Sequence, residues 1–318
     1  MRPNLVTKEL NLTLPPLNID ISSGHAEALP AVGTLYIVAT PIGNLSDLSP
    51  RGRAILAEVD LIAAEDTRHS SGLLQHFGIH AQMVALHEHN ETQQSVQLIS
   101  QLQAGKRIAL ISDAGTPAIS DPGSRLVALA HTHHVPVVTI PGPSALTAAL
   151  SISGLSALPV HFHGFMPPKA KARRQTLEPL VHSHGTLVFY EAPHRIEEMV
   201  EDLVAIFPAS RALIICRELT KRFESVHRCT LAGVKTWFAG DPDRLRGEFV
   251  LVLEGAAENE RTDPLIEGRR VLEILLASSL SISEAARAAA KITGANRSDL
   301  YHWALQKHGP TDDSENAS

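Results

Sequence analysis

Short apolar runs, each followed by glycine, proline and small hydroxyl residues, recur through the first half of the chain. Thr34 to Ala39 (TLYIVA) and the stretches 59–64, 82–86, 108–112 and 136–140 are brief and apolar, and read as strands. Between them the spacing changes to the helical period, near 50–58, 70–77, 91–104, 122–133 and 143–151. Ser49 followed by Pro50 marks one helix start. Asn90 is expected to cap the third helix and Gly105 to end it. This alternation predicts a mainly parallel sheet covered on both faces, an α/β domain over residues 33–150.

A linker is expected at 151–159, which holds Gly154, Ser156 and Pro159. A second α/β domain follows over 160–256. Its strands are Thr186 to Tyr190, Ala212 to Cys216 and Phe249 to Leu253, with 225–231 a further candidate, and its helices fit near 172–183, 194–206 and 231–239. Residues 257–318 form a helical appendage. Ser281 and Glu284 make a capping box, an alanine-rich helix runs to Ile292, Thr293-Gly294 breaks it, and Asn296 caps a second helix through Leu305. That helix-turn-helix pattern suits either a nucleic-acid contact or plain packing. Residues 1–32, mixed in Pro, Asn, Ser and Thr, read as a loose tail.

With 318 residues, 44% hydrophobic and 19% charged, the chain has the composition of a soluble globular protein of two domains. No apolar run approaches the roughly 18 residues of a membrane helix, and the N-terminus lacks the pattern of a secretory signal. Cys216 and Cys229 stand alone, so neither a disulfide framework nor a zinc site is indicated, and a cytoplasmic location is expected. The 17 histidines are scattered, with His87, His89, His131, His133 and His134 in no ligand pattern, so no metal is expected. Net charge is −6, yet cations cluster locally. Lys169, Lys171, Arg173 and Arg174 form one group, Arg217, Lys221, Arg222 and Arg228 another, and Arg244 with Arg246 a third. Such groups are ordinary solvated surface or a footprint for phosphates.

Three loops carry the candidate chemistry. Thr40 to Leu45, Ser112 to Gly123 and Pro141 to Ala145 each follow a strand. Ligands of open α/β sheets bind outside the carboxyl ends of strands, and glycine there lets a ligand approach the backbone. The same residues also suit ordinary strand-to-helix turns. No GxGxxG, GxxxxGK[ST] or GxSxG motif is present, so a dinucleotide, a Walker phosphate cradle and a serine elbow are not indicated.

Thr40-Pro41-Ile42-Gly43-Asn44-Leu45, Ala64-Glu65-Asp66-Thr67-Arg68, Ser112 to Gly123, Pro141 to Ala145 and Phe189-Tyr190-Glu191-Ala192-Pro193-His194-Arg195, in that order, resemble one family. The chain is similar to the ribosomal RNA small subunit methyltransferase I family of the tetrapyrrole methylase superfamily, over about residues 33–255 and again in the C-terminal helices. The resemblance implies two α/β domains with S-adenosylmethionine in the cleft between them, and a homodimer. It implies 2′-O-methylation of a cytidine ribose in the decoding region of 16S rRNA, free or within the 30S subunit. It places the cofactor against Pro41, Ile42, Gly43, Asp113, Gly115, Thr116, Ile119, Ser120, Ser144, Ala145 and Tyr190. The superfamily's usual Gly-Asp-Pro reads Gly115-Thr116-Pro117 here, which leaves Asp113 as a candidate substitute for the missing carboxylate.

A ribose hydroxyl attacks a methyl group well only when aligned and relieved of its proton. Glu65, Asp66, Glu191 and Lys221 are the candidates for that chemistry, with Arg68 for a phosphate; Glu65 and Glu191 are expected to face each other. The competing reading makes the acids helix caps with arginine partners. Lys169, Lys171, Arg173, Arg174 and Arg195 are the candidate RNA contacts. A small-molecule methyltransferase of the tetrapyrrole type and a non-catalytic nucleic-acid-binding regulator are the alternatives.

Overall fold

The five apolar runs of the first half form β1 (Leu35–Val38), β2 (Leu61–Ala64), β3 (Met83–Ala85), β4 (Ile108–Ile111) and β5 (Val137–Ile140) in a computed structural model. The structure describes residues 33–155, 159–256, 264–278 and 280–308. All pairings in this sheet are parallel, in the order β3-β2-β4-β1-β5. Parallel strands need cover on both faces, and alternation along each strand supplies it. Tyr36, Val38, Ile62, Ala64, Ala109 and Ile111 pack with Leu56 of α1 (Pro50–Glu58) and Leu74 of α2 (Thr67–His76). Leu35, Leu61, Ala63, Ile108 and Leu110 pack with Leu98 of α3 (Glu91–Gln103) and Leu126 of α4 (Ser124–Thr132). β1 and β2 therefore feed helices on one face, while β4, which lies between them, feeds a helix on the other. The connections reverse at β4, which makes its carboxyl end the crevice where such sheets bind ligands.

The local signals hold with one exception. Ser49 Oγ accepts from Gly52 N–H at 3.0 Å at the start of α1. Gly105 (φ +92°) closes α3, its N–H donating to Leu102 O while Lys106 N–H reaches Gln101 O, a Schellman turn. Asn90 does not cap α3. Its backbone is already near helical, so its side chain turns back, accepting from His87 N–H and donating to Ala85 O. Glu91 caps a different helix: its carboxylate accepts from Gly123 and Arg125 N–H at the start of α4.

The second sheet is mixed. β6 (Val160–Phe165) runs parallel to β7 (Thr186–Glu191). β10 (Phe249–Leu253) lies antiparallel between β7 and β8 (Ala212–Arg217), and β9 (Ser225–Thr230) forms the far edge. The polar-looking sequence of β6, VHFHGF, hid this strand from sequence reading. α6 (Ala170–Leu177), α7 (Ile196–Ile206) and α8 (Leu231–Ala239) cover the face carrying Leu187, Phe189, Leu213 and Leu251. α6 stops short of the expected 183, and residues 178–182 around Pro179 form a 3-10 turn.

The other face of this sheet is covered by α5 (Ala145–Ser153), whose Ala149 packs with Val188, Ile214 and Val252. The boundary expected at 150 is thus displaced. The second unit takes in the chain from Ser144 onward and also the tripeptide Ile42–Asn44. Residues 151–153, expected in a linker, finish α5 before Gly154 ends it with φ +66°. The apolar side of α5 is what completes the second core, so helix and sheet stay together.

Three helices follow: α9 (Pro264–Ala277), which sequence reading did not separate, α10 (Ile282–Thr293) and α11 (Arg297–His308). Leu272, Ala285, Ala286, Ala289, Leu300 and Ala304 are their shared core. The Ser281–Glu284 capping box forms in full, Gly294 ends α10 with a left-handed turn, and Asn296 Oδ1 accepts from Ser298 N–H at 2.8 Å. The expected tail at 1–32, part of the linker and the ends of the appendage lie outside the described residues. Among those residues no helix is long and apolar enough to cross a membrane.

Candidate functional site

The three small-residue loops converge on the carboxyl edge of the first sheet. Thr40 and Gly115 exchange backbone hydrogen bonds of 2.9 and 3.0 Å, and Thr40 Oγ1 donates to Ser112 O at 3.1 Å. Thr116 Oγ1 donates to Pro143 O at 3.2 Å. The threonine in the place of the superfamily's aspartate is therefore a tie between loops. Gly142 lies against the first loop, where an added Cβ would stand 3.1 Å from Ala39 Cβ.

The loop after β4 is held in a demanding conformation. Gly115, Ala118, Ser120 and Gly123 all have positive φ, at +83°, +64°, +66° and +126°. At Gly123 an added Cβ would meet Leu110 Cδ2 at 2.5 Å. The left-handed alanine and serine each cost about 1 kcal/mol, a strain kept where surroundings enforce it and concentrated at ligand sites. Between them Ile119 is held outward, 42% exposed. Ser144 Oγ makes no capping bond at the start of α5. These tied loops present backbone groups and small side chains at the carboxyl edge of the sheet. Among the described residues no His, Cys, Asp and Glu group is placed to hold a metal, and both cysteines are free.

Carboxylates gather beside these loops. Asp113 N–H donates to Glu65 Oε2 at 3.3 Å, and Asp66 N–H donates to Asp113 Oδ1 at 3.1 Å. Asp113 thus secures the β2 loop through its backbone N–H and one carboxylate oxygen. Burial pushes the Glu65 carboxyl above its ordinary range; Asp113 and Asp66 add to this, while the Asp113 N–H opposes it. Asp121, which lies in the candidate loop and was not singled out in the sequence, is pushed up to about 6, first by burial, with Glu65 and Asp113 adding repulsion against a Ser112 hydrogen bond. Asp66 caps α2 through Arg68 N–H at 2.8 Å, and Arg68 folds back on it with Nη2–Oδ2 at 3.1 Å. That hydrogen bonding holds Asp66 below its usual range. For these two residues the cap-and-partner reading describes the structure.

The second unit corrects several expectations. Alternation along β7 sends Glu191 to the side of Leu187 and Phe189, under the helices. It accepts from Ala192 N–H at 2.9 Å and pairs with Arg195 Nε at 3.3 Å, and is 1% exposed. Burial raises its pKa against those two partners. A carboxylate so enclosed touches no substrate. Arg195 is spent on Glu191 and on Met166 O. Arg173 is 1% exposed, bonded to Asp202 at 2.6 Å and Glu198 at 3.2 Å, because it shares the buried side of α6 with Leu177. It contacts no phosphate. Arg174 pairs with the second oxygen of Asp202. Lys169 and Lys171 are exposed, without an ion-pair partner among the described residues.

Tyr190, on the opposite face from Glu191, packs against Phe162 and Phe165. Lys221 lies 2.8 Å from Glu218 and 3.0 Å from Glu248, and these carboxylates outweigh its desolvation and raise its pKa. Its loop holds Glu218 and Thr220 at positive φ. Gly43 lies on this loop, where an added Cβ would meet Lys221 Cγ at 2.3 Å, and Ile42 packs into the core beside Leu219.

Residues 34–235 match the family model of Tetrapyrrole (Corrin/Porphyrin) Methylases, and residues 263–308 match that of the RsmI C-terminal HTH domain. The solved structure of the methyltransferase CobJ superposes with a TM-score of 0.52 at 16% identity, covering 71% of this chain and 95% of that one. Diphthine synthase gives 0.51 at 18% identity, over 70% and 90%. The chain therefore has the tetrapyrrole methylase fold and is an S-adenosylmethionine-dependent methyltransferase.

Ribosomal RNA small subunit methyltransferase I of Xylella fastidiosa is 51% identical over 269 residues, covering 85% of this chain and 98% of that protein. Its counterpart in Escherichia coli O157:H7 is 45% identical over 285 residues, covering 90% and 99%. The chain belongs to the ribosomal RNA small subunit methyltransferase I family.

Proposed function

We propose that the protein methylates the ribose 2′-oxygen of a cytidine in the decoding region of 16S rRNA, using S-adenosylmethionine. The observation that carries the mechanism is the half-buried carboxylate of Glu65 beside tied, glycine-bearing loops. In this reading Pro41, Ile42, Gly43, Gly115, Thr116, Ile119, Ser120, Ser144, Ala145 and Tyr190 hold the cofactor. The cofactor supplies a methyl group that is already activated. The chain's task is to align the ribose oxygen with the methyl carbon. Glu65 takes the hydroxyl proton. Its raised pKa makes it a better base than an ordinary glutamate.

The protein acts in the cytoplasm as a homodimer on the small subunit or its RNA. Transfer of tritium from labelled cofactor to 30S particles and to free 16S rRNA, followed by nucleoside analysis, tests this. Labelled 2′-O-methylcytidine is the expected product. Label on a base, or on neither substrate, rejects the reading; light scattering checks the dimer.

A further inference from the structure

Phe165 at the end of β6 is 55% exposed, and the backbone is bent to put it there. In an unbroken strand, residues 162 and 165 point to opposite faces. Here the register slips: Phe162 lies opposite Val188 and Gly164 opposite Phe189, leaving His163 as an extra residue. Gly164 takes φ +61°, and His163 turns to the helix-covered face to stack on Phe189 at 5.3 Å. The bulge brings Phe165 opposite Tyr190, so Phe162 and Phe165 both pack on that ring, at 4.9 and 5.6 Å. A bulge disturbs the ladder and is used to re-aim a side chain. This one aims a phenylalanine into water with an aromatic ring behind it, which core packing does not require.

The surroundings favour a polyanion. Residues 159–177 contain Lys169, Lys171, Arg173 and Arg174 and no Asp or Glu, in a chain of net charge −6. Arg173 and Arg174 are engaged with Asp202, which leaves the two exposed lysines. The strand pairings bring the β8–β9 turn to the same end of the sheet, since Glu191 opposes Phe249 and Phe249 opposes Arg217. That turn presents Phe223, 64% exposed, with the Arg222 guanidinium 5.5 Å from its ring. Aromatic rings interleaved with cations are the equipment for single-stranded nucleic acid, the rings taking bases and the cations phosphates.

We propose that Phe165, backed by Tyr190, stacks an unpaired base of the RNA substrate, with Lys169 and Lys171 on adjoining phosphates. This rests on the rRNA reading above. The test uses the full chain and F165A, F165L and F165W. It measures anisotropy with a labelled single-stranded oligocytidine, KM for 30S particles, cofactor affinity by calorimetry, melting temperature and mass in solution. F165A should weaken oligocytidine binding and raise KM roughly 5- to 100-fold, with cofactor affinity, melting temperature and mass unchanged. F165L should resemble F165A, and F165W should retain binding. The salt slope should hold in F165A, because no phosphate contact is lost. Binding within twofold of wild type in F165A overturns the proposal. So does full activity in F165L, which keeps the apolar area without the π face. A fall in mass in F165A assigns the surface to a second copy of the chain instead. Wild-type enzyme that binds oligocytidine through Phe165 yet does not methylate 30S particles overturns the rRNA reading alone.

Discussion

The carboxyl ends of β2 and β7 look alike in the sequence, each an apolar strand running into a glutamate with an arginine close behind. Glu65 ends among like charges: burial raises its pKa, and Asp113 and Asp66 add to the rise. Glu191 ends among opposite ones, against Arg195 and near Arg173. The same contrast separates the wider regions. Beneath α6 and α7 the charges cancel: buried Arg173 and Asp202 pair with each other, and the exposed Glu198 and Arg174 each add a second partner. Beside the loops of the first sheet Glu65, Asp113 and Asp121 repel. Mutual satisfaction builds architecture. Burial, with repulsion added to it, raises the pKa of Glu65 and Asp121, and such perturbed groups mark functional sites.

The largest effect should come from breaking the satisfied set. Asp202→Ala leaves buried Arg173 with Glu198 and the Pro168 carbonyl, and loss of one partner of a buried pair costs about 3 to 5 kcal/mol. A large drop in melting temperature, with normal turnover per folded molecule, is the expected result. A melting temperature close to wild type would show that these charges do not carry the second core.

Next is Glu65→Gln, which keeps shape and removes the base. Turnover should fall about 100-fold, near 3 kcal/mol in the barrier, with cofactor affinity within a few-fold. Glu191→Gln should alter stability far more than turnover. If Glu191→Gln loses turnover equally while staying folded, the contrast between the two strand ends is wrong.

A smaller effect concerns Asp121. Its folded pKa of about 6 lies above the ordinary 3.8. The folded state therefore binds that proton more tightly than the unfolded state. The stability it contributes is complete below about pH 4 and is lost as pH rises through about 6. Asp121→Asn should flatten that window and stabilise the protein at pH 7.5 by about 1 to 2 kcal/mol, allowing for partial exposure. Denaturation at pH 5 and 7.5 measures it, and an equal loss of stability between those pH values in the variant would remove Asp121 as the cause.

Local rules made most of the fold legible. Strand alternation, the Ser49 and Ser281 caps and the Gly105 stop depend on neighbours in the chain, and each appears as expected. β6 escaped because its histidines, glycine and bulge break the period. The domain boundary escaped because α5 chooses its sheet by packing. At the site, the three loops were readable from composition, and their ties through Thr40, Thr116 and Asp113 were not, since these pair residues tens of positions apart. The direction of Glu191 was recoverable in principle: it shares parity with Leu187 and Phe189.

The smallest effect tests the cations that nothing satisfies. In sequence Lys169, Lys171, Arg173 and Arg174 form one cluster. Among the described residues only the two lysines of this cluster have no carboxylate partner. Replacing both with alanine should cost little stability, because exposed substitutions usually stay within about 0.5 kcal/mol. If each neutralises one phosphate of a single strand, the slope of log K against log salt should shrink by about 1.4 in total. Arg174→Ala should move the slope less, because Asp202 already holds that guanidinium. Filter binding of single-stranded RNA across a salt series measures both. Equal slopes in wild type and the double-lysine variant would place the RNA on another surface. A larger change from Arg174→Ala than from the lysines would mean that RNA draws this arginine off Asp202, and paired charges would then no longer be purely architectural here.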